Sequence, residues 1–370
     1  MTRKEFLDLC GLFGISLPFH GVITACRKDN KPGKPFPGKV IVIGAGAGGL
    51  SAAYYLKQQG TACVVLEASP SFGGRMRVNT DFADFPIPLG AEWLETTPKV
   101  LDEIVNNPAV VVDVSTFPDL PDRKFLDYSW FNFFEDYIAP AVSADIVYNT
   151  LVQSVDYSGN QVVVTSNNGQ WKADRVILSV PLQMLKENTI QFTPSLPKSK
   201  QDAIRDAPVW AGFKAFFEFG TNFYGDTEYA FDIQPETDGQ KIYYNAALGQ
   251  KSDRHILGLF AVGKPALELG ALSGDDLRKQ VLRELDGIYK QQATPNFLRY
   301  LAQDWNKVPH IRSGYLSDFA PWKTVRELGR SIDNKLFFAG AEFTDGEDWV
   351  SVHTAAKAAR MAVEEINREA

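Results

Sequence analysis

A glycine-rich turn between two short apolar runs constrains the fold of this chain more than any other feature. Residues 39–43 (KVIVI) form a β-branched run of the kind found in buried parallel strands. A G-x-G-x-x-G motif and a helical segment follow, and the motif region contributes four glycines: Gly44, Gly46, Gly48 and Gly49. A second apolar run, residues 62–66, ends at Glu67, 23 residues after Gly44. This arrangement predicts a Rossmann-like β–α–β unit that binds a dinucleotide.

Each part of the motif has a physical role. Gly44 permits the tight turn, Gly46 lets the backbone approach a pyrophosphate, and Gly49 allows the helix and strand to pack closely. The helix N-terminus then faces the negative charge of the phosphates. Glu67 would accept hydrogen bonds from ribose hydroxyls, and an acid at this position disfavours a 2′-phosphate. The alternative is a glycine-rich turn without a ligand.

Composition excludes several other classes of protein. The chain has 370 residues, 45% of them hydrophobic, which is the composition of a globular protein of about two domains. Its net charge of −7 argues against nucleic acid as a partner, because phosphate backbones require a basic face. Three cysteines are too few for a disulfide framework, and four scattered histidines show no metal-ligand spacing. We therefore predict no metal site.

The first residues have the pattern of a targeting signal. Residues 1–25 combine a charged start, an apolar middle and small residues before Cys26, which predicts an export leader. The segment resembles a bacterial lipobox preceded by a twin-arginine-like signal, which implies an exported protein that is lipid-anchored at Cys26 and faces the periplasm. Residues 26–38 are basic and proline-containing, as expected of a linker. The alternative is a frayed N-terminal helix on a cytoplasmic protein.

Several further motifs resemble those of the flavin amine oxidase family, which includes monoamine and polyamine oxidases and binds FAD. Residues 67–76 (EASPSFGGRM) resemble its E-A-x-x-x-x-G-G-R signature. Four more blocks follow in the family's order: residues 89–93 (LGAEW), 147–152, 173–186 and 336–342 (LFFAGAE). The resemblance extends from about residue 39 to the C-terminus, and several motifs in register are more specific than any single one.

The resemblance implies a set of FAD-binding residues beyond the glycine turn. Arg75 is implied to reach the pyrophosphate, Glu342 the ribityl or ribose hydroxyls, and the helix that begins near Val352 the pyrimidine edge of the flavin. The remaining implied contacts are Ala68, Gly74, Gly90, Ala91, Glu92, Trp93, Val152 and Gly340. The cysteine that carries covalent flavin in monoamine oxidases is absent near Tyr315, which implies non-covalent FAD.

The same resemblance supplies three candidate catalytic residues. Lys214 matches a family lysine that holds a water near flavin N5, and Tyr315 and Trp305 match aromatic positions beside the flavin. The implied reaction is oxidation of an amine C–N bond by hydride transfer to N5, with reoxidation by dioxygen or another acceptor. The alternatives are a flavin dehydrogenase or desaturase of an apolar substrate, and an exported FAD-binding protein without turnover. Two of these residues also have a purely structural interpretation. Lys214 would then be a lysine on an edge strand, and Trp305 an aromatic side chain that only contributes to packing.

These patterns predict an α/β fold with two interleaved domains. A Rossmann-like FAD-binding domain takes residues 39–95, 142–206 and 325–370, and an α+β substrate domain on a mixed sheet takes 96–141 and 207–324. Residues 215–219 and 256–262 are predicted strands, and 275–291 a helix with Leu277, Val281, Leu285 and Ile288 on one face. Residues 161–165 and 176–179 are predicted to form a hairpin around Asn167-Asn168-Gly169.

The segment between Trp93 and Val147 is shorter than in the family, so the helical part that covers the substrate cavity must be small. Its aromatic and acidic stretch, residues 125–137, has three interpretations: the lining of an open, shallow site, a core segment, or a partner surface.

Overall fold

The computed structural model describes residues 35–115, 123–225, 230–231, 239–346 and 350–368. The predicted leader and residues 26–34 of the predicted linker lie outside this range. The strands are β1 (Lys39–Ile43), β2 (Ala62–Leu66), β3 (Val78–Asn79), β4 (Ile87–Pro88), β5 (Trp93–Leu94), β6 (Arg123–Lys124), β7 (Ile146–Val147), β8 (Val152–Asp156), β9 (Val162–Ser166), β10 (Gly169–Ala173), β11 (Arg175–Leu178), β12 (Gln191–Thr193), β13 (Gly212–Phe219), β14 (Ala230–Phe231), β15 (Gly239–Asn245), β16 (His255–Gly263), β17 (Phe297–Asp304) and β18 (Leu336–Phe338). The helices are α1 (Ala47–Gln58), α2 (Lys99–Val105), α3 (Trp130–Tyr137), α4 (Ala139–Val142), α5 (Leu182–Lys186), α6 (Lys198–Asp206), α7 (Lys264–Gly270), α8 (Gly274–Ile288), α9 (Ala293–Asn296), α10 (Trp322–Gly329) and α11 (Val352–Arg368).

A five-stranded parallel sheet forms the centre of one half of the molecule, which we call the Rossmann-like half. Its strand order is β18-β11-β1-β2-β7, and every pair is parallel. Val40, Ile41 and Val42 of the central strand β1 are fully buried, as expected for a strand covered on both faces. The predicted Rossmann-like α/β fold is confirmed.

Two helices cover one face of this sheet. Helix α1 follows the glycine turn, and α11, near the end of the chain, packs along it. Both helices contribute small side chains to one shared hydrophobic core: Ala52 and Ala53 on α1, and Ala356 and Ala359 on α11. Small residues let the two backbones approach closely, so the C-terminal helix completes the layer that the glycine motif begins.

An antiparallel sheet forms the second half. Its order is β14-β15-β16-β13-β17, and all its strand pairs are antiparallel. The predicted strands at 215–219 and 256–262 are confirmed as parts of β13 and β16. The expectation of a mixed sheet in this half is corrected, because sequence patterns do not show strand direction. Helix α8 begins at Gly274 and ends at Ile288, which is exposed although the pattern placed it on the buried face.

The predicted hairpin is also corrected in part. Strand β9 pairs with β10, Gly169–Ala173, across a two-residue turn at Asn167 and Asn168. Residues 175–178 instead form β11 of the parallel sheet. The physical reason is that Val176, Ile177 and Leu178 of β11 are apolar and buried and fit between two buried strands, whereas most residues of β10 are exposed to solvent. Strand β8 continues this smaller sheet to β12, with which it pairs in parallel.

The structure decides between the three interpretations of the aromatic stretch at residues 125–137. Trp130, Phe133 and Phe134 are fully buried, and they share one hydrophobic core with α1 and α11. The stretch is therefore a core segment of the Rossmann-like half, whereas the sequence placed residues 96–141 in the substrate domain. Its large aromatic side chains require a deep apolar contact, which α1 and its neighbours provide. The domain boundaries themselves stay a prediction.

Within the described ranges, no helix is both long enough and apolar enough to cross a membrane.

Candidate active site

A cavity of about 870 Å³ lies between the carboxyl ends of the parallel strands and the face of the antiparallel sheet. This is the position at which ligands bind in open α/β sheets. Of the residues predicted for the site, all except Gly49 line it: Gly44, Gly46, Gly48, Glu67, Ala68, Gly74, Arg75, Gly90, Ala91, Glu92, Trp93, Val152, Lys214, Trp305, Tyr315, Gly340, Glu342 and Val352. The fold thus brings together residues from widely separated segments.

The glycine turn opens one end of the cavity to a ligand. A Cβ atom added at Gly46 would meet no described atom within 4 Å, so the backbone here faces open space. Gly46 is also the N-cap of α1, and no side chain caps the helix there. The first N–H groups of a helix lack partners within the helix, and they attract anions. A pyrophosphate fits this cradle.

Gly49 explains why the turn can be so tight. A Cβ atom at this position would lie 1.9 Å from the carbonyl oxygen of Gly44. Gly49 is buried and does not line the cavity, which agrees with a packing role rather than ligand contact. The glycine therefore lets α1 begin directly against the end of β1.

Glu67 joins the turn to the second strand. Its Oε2 accepts a hydrogen bond from the Ala45 N–H at 2.6 Å, and its Oε1 accepts one from the Ser69 N–H at 2.8 Å. A carboxylate has about four lone-pair sites, so both oxygens retain capacity for further donors. Glu67 borders the cavity, and its position is suited to the hydroxyls of a ribose.

Arg75 and Glu342 connect the two predicted flavin motifs. Arg75 Nη1 lies 2.7 Å from Glu342 Oε1 and also donates to the Gly314 carbonyl. The other carboxylate oxygen of Glu342 accepts the Leu182 N–H at 3.0 Å. Glu342 is buried, so both of its oxygens are engaged by the protein. The pair fixes the wall of the cavity; direct contact of either residue with a nucleotide stays a prediction.

Lys214 lies on β13, a strand in which every residue is buried. Its Nζ donates to the carbonyls of Pro88 (2.9 Å) and Gly90 (3.1 Å) and to Glu92 Oε2 (2.5 Å). An ammonium has three N–H donors, and here all three have protein acceptors. Burial lowers the pKa of Lys214, and the charge of Glu92 opposes this shift. The strand is internal, between β16 and β17, so the edge-strand interpretation of Lys214 is wrong.

Glu92 is the centre of a buried cluster, which we call the Glu92 cluster: Glu92, Lys124, Lys214 and Tyr244. The Tyr244 hydroxyl donates to Glu92 Oε2 at 2.5 Å. Lys124 Nζ lies 4.0 Å from Glu92 Oε1, an atom without a hydrogen-bond partner among the described residues. The two ammonium nitrogens lie 5.9 Å (Lys214) and 6.0 Å (Lys124) from the Tyr244 ring centroid. Glu92, predicted to contact the cofactor, is held by this cluster.

Two aromatic side chains border the cavity near Lys214. Trp305 is buried, and its indole N–H donates to the Leu89 carbonyl at 2.8 Å, which fixes the ring. Tyr315 packs edge-on against Trp210, with ring centroids 5.9 Å apart. Burial and the charges of Asp318 and Glu95 raise the pKa of Tyr315, so the phenol is neutral in the physiological range. Both rings present apolar surface to whatever occupies this end.

The start of helix α11 also faces the cavity. Val350, Ser351, Val352 and Ala355 all line it. His353, one residue further, is not among the lining residues; its Nδ1 lies 2.5 Å from the Ser351 hydroxyl. The N-terminus of this helix, where the resemblance places the pyrimidine edge of the flavin, therefore borders the cavity, and contact with a flavin stays a prediction.

Sequence reasoning missed several lining residues: Tyr244, Glu95, His310 and Asp318, as well as Lys124 behind Glu92. Tyr244 lies on the same face of β15 as Gln240 and Ile242, which also line the cavity, but this spacing does not show which partner its hydroxyl will meet. Lys124 lies beside an aromatic run that turned out to be core, and a charged residue next to a buried run is the signal that could have found it.

Comparison with known proteins agrees with this geometry. The family model for flavin containing amine oxidoreductases matches residues 134–367, more than half of the chain. The model for the NAD(P)-binding Rossmann-like domain matches residues 42–106. The two matches cover the glycine turn, β13 and the helix at the C-terminus.

Individual relatives are more distant. Polyamine oxidase 3 of Oryza sativa subsp. japonica is 31% identical over 56% of this chain and 42% of its own length. Lysine-specific histone demethylase 1B of Mus musculus is 26% identical over 54% of this chain and 25% of its own length. The chain thus aligns with less than half of these relatives. Polyamine oxidase 2 of Arabidopsis thaliana aligns over 88% of this chain and 87% of its own length, at 25% identity.

A solved structure of putrescine oxidase with bound putrescine superimposes with a TM-score of 0.72 over 89% of this chain and 99% of that chain. The sequence identity is 15%, so this likeness shows a shared fold.

Proposed function

Because the chain belongs to the flavin containing amine oxidoreductase family, we propose that it binds FAD non-covalently and oxidises the C–N bond of an amine. The observation that carries this proposal is the continuity of the cavity. One end is an open glycine cradle at an uncapped helix N-terminus, and the other end contains Lys214 and two fixed aromatic rings. A dinucleotide flavin needs both ends at once.

The residues of the cradle fit FAD. Gly46 leaves room for a pyrophosphate, Glu67 retains acceptor capacity for ribose hydroxyls, and the N-terminus of α11 borders the same cavity. Cys63, the only cysteine among the described residues, is absent from the cavity lining, which supports non-covalent binding.

When bound, FAD supplies a hydride acceptor at N5 and passes the electrons on to dioxygen or another acceptor. The protein's own residues orient and protect this reaction. Trp305 and Tyr315 exclude water and hold the substrate C–H bond at a fixed angle. Lys214 provides a fixed positive charge near the reacting end, which favours the negative charge that develops during reoxidation.

The first test is the absorbance spectrum of the purified protein, before and after incubation with FAD. A flavin spectrum whose chromophore is released by acid precipitation supports non-covalent FAD. A protein that stays colourless after reconstitution contradicts the proposal. The holoenzyme is then mixed anaerobically with a panel of monoamines, diamines and polyamines, followed by oxygen. Bleaching by an amine and recovery in oxygen are the expected results.

The same experiment separates the two alternative functions. Bleaching by an apolar or cyclic substrate and by no amine indicates a dehydrogenase or desaturase. A flavin that no substrate bleaches indicates a flavin-binding protein without turnover. Recovery of the colour only with an added electron acceptor, and not with oxygen, corrects the proposed acceptor alone.

We further propose that the protein is exported and lipid-anchored at Cys26, facing the periplasm. The support is the residue pattern of positions 1–26. The test is the intact mass of the protein extracted from membranes of its native host. A mass that begins at an acylated Cys26 is expected; a chain that still begins at Met1 contradicts the proposal and favours a cytoplasmic protein.

A further inference from the structure

Lys124 is a buried lysine that the proposed chemistry does not use. It ends strand β6, which pairs with β5 through Trp93. Its side chain is 5% exposed, and its Nζ donates to the carbonyls of Asn245 and Ala246. A lysine is rarely buried to this extent, because its charge loses the stabilisation of water. An explanation is needed for its presence beside the active-site cavity.

The position of Lys124 relative to Glu92 suggests one. The Glu92 carboxylate has two oxygens, and they face different lysines. Oε2 accepts from Lys214 at 2.5 Å, and Oε1 lies 4.0 Å from Lys124 Nζ. Lys214 and Glu92 line the large cavity, whereas Lys124 lies behind Glu92 and lines a separate small cavity with it. Glu92 therefore connects a lysine at the reacting end to a lysine that no ligand in the large cavity would touch.

The orientation of Glu92 depends on this connection. Its Oε1 is buried and has no hydrogen-bond partner among the residues that the structure describes. The Lys124 ammonium is the nearby positive charge that favours this orientation of the carboxylate. With Oε1 held toward Lys124, Oε2 remains directed at both Lys214 and the Tyr244 hydroxyl.

We propose that Lys124 is a positioning residue, which acts through Glu92 to hold the Lys214 ammonium at the flavin end of the cavity. The inference rests on the proposed binding of FAD there. Loss of the Lys124 charge would weaken the hold on Glu92 and remove a positive charge from behind it. Reduced flavin carries negative charge, so its formation becomes less favourable when positive charge is lost nearby.

The test is a pair of variants in the holoenzyme. Lys124→Gln keeps a donor for the Asn245 and Ala246 carbonyls but removes the charge, and Lys124→Arg keeps the charge. We expect Lys124→Gln to shift the flavin midpoint potential to a more negative value and to change the pH profile of reoxidation. Lys124→Arg should keep both close to wild type. An unchanged potential and pH profile in Lys124→Gln would overturn the proposal, even if the protein were less stable.

The matched control is Lys200→Gln. Lys200 is equally buried and donates to the carbonyls of Glu327, Leu328 and Arg330, but it does not line the cavity. This control should lower the melting temperature without moving the flavin potential. An equal shift of the potential in Lys200→Gln would also overturn the proposal, because it would show a general effect of lost buried charge.

Glu92→Gln is the second variant if Lys124→Gln does not fold. Because Lys124 acts through Glu92, this substitution must also move the potential and the pH profile, and wild-type values would contradict the proposal. In the double variant the effects should be non-additive, as expected for groups in one network. Failure of wild-type protein to bind FAD contradicts the proposed function; an unresponsive Lys124→Gln holoenzyme contradicts only the role of Lys124.

Discussion

The two ends of the cavity differ in whether backbone or side chains form them. At one end, a single continuous segment, from β1 through the glycine turn into α1, places its backbone at the cavity. At the other end, the Glu92 cluster brings together side chains from four separate segments. The first end is therefore specified locally, and the second end exists only after the two halves of the molecule have packed.

This difference has an energetic consequence. The glycine cradle buries no charge, and its open N–H groups are ready for an anion. The Glu92 cluster removes several charges from water, and only the hydrogen bonds and ion pairs within it offset that cost. We therefore expect substitutions in the Glu92 cluster to change both the stability of the protein and the rate of its reaction. In the glycine cradle, by contrast, we expect one substitution to change stability and another to change only ligand affinity.

The largest expected effect follows substitution of Lys214 by Met. The change leaves Glu92 buried without its closest cation, at a cost of about 3 to 5 kcal/mol in the free energy of unfolding. FAD should remain bound, but its reoxidation should slow on the order of a hundredfold, because a fixed positive charge is lost. Chemical denaturation measures the first effect and stopped-flow oxygen mixing the second.

Lys200→Met is the control for this prediction. Lys200 donates to three carbonyls, and burial lowers its pKa to about 7. Its loss should destabilise the protein while the reoxidation rate stays at the wild-type value. Unchanged oxygen reactivity in Lys214→Met would remove Lys214 from the chemistry and leave it a structural role alone.

Gly49→Ala should give the next largest effect, on packing. The new Cβ would lie 1.9 Å from the Gly44 carbonyl oxygen, a backbone atom that cannot move without shifting α1 or β1. We expect a loss of about 2 to 3 kcal/mol in stability, with weaker FAD binding as a consequence. Thermal unfolding of the apoprotein provides the measurement. An alanine variant as stable as wild type would show that the turn has room for a Cβ atom beside the Gly44 carbonyl oxygen.

Gly46→Ala tests FAD binding at the glycine turn without a change in packing. The Gly46 backbone lies in the β region (φ −81°, ψ −172°), which alanine adopts freely, and its Cβ would enter open space. Apoprotein stability should therefore stay within about 0.5 kcal/mol of wild type. FAD affinity should fall about tenfold, or about 1.4 kcal/mol, because the methyl group occupies the space of a phosphate.

Gly287→Ala is the matched control. Gly287 lies near the end of helix α8, where a Cβ also meets no described atom within 4 Å. Alanine there should raise stability by about 0.5 to 1 kcal/mol and leave FAD affinity unchanged. If Gly46→Ala instead bound FAD as tightly as wild type, the cradle would not be the phosphate site.

The contrast between the two ends also explains how far the sequence could predict the structure. The strand–turn–helix–strand unit and Glu67 are contiguous, so their spacing alone gave the parallel strands and the turn. The resemblance to a family placed Lys214, Trp305 and Tyr315 at the same cavity, although they lie far apart in the chain. Interactions within one segment could thus be predicted from the sequence, and so could positions fixed by several motifs in a known order.

The rest depended on tertiary contacts that no local pattern encodes. Residues 125–137 are rich in aromatic side chains whichever half they pack against, and only the structure shows that Trp130 and Phe133 join the core of α1 and α11. Likewise, Lys124 and Tyr244 belong to segments without a recognised motif, and they meet Glu92 through packing of the two halves. Strand direction in the antiparallel sheet escaped prediction for the same reason.

The smallest expected effect concerns the Tyr315 hydroxyl and is visible only in alkali. The pKa of an unfolded tyrosine is about 10, and burial together with Asp318 and Glu95 raises the pKa of Tyr315 above it. The folded protein therefore holds this proton more tightly than the unfolded chain does. Its contribution to stability is complete below about pH 10 and is lost as the pH rises through the folded pKa.

Tyr315→Phe has no such proton to lose. The free energy of unfolding of this variant, relative to wild type, should be constant between pH 7 and 9 and should then rise by up to about 1.4 kcal/mol per pH unit. FAD binding and the aromatic wall should persist, because the ring stays against Trp210. A constant difference up to pH 11 would mean that the phenol is not held in the neutral form by its surroundings.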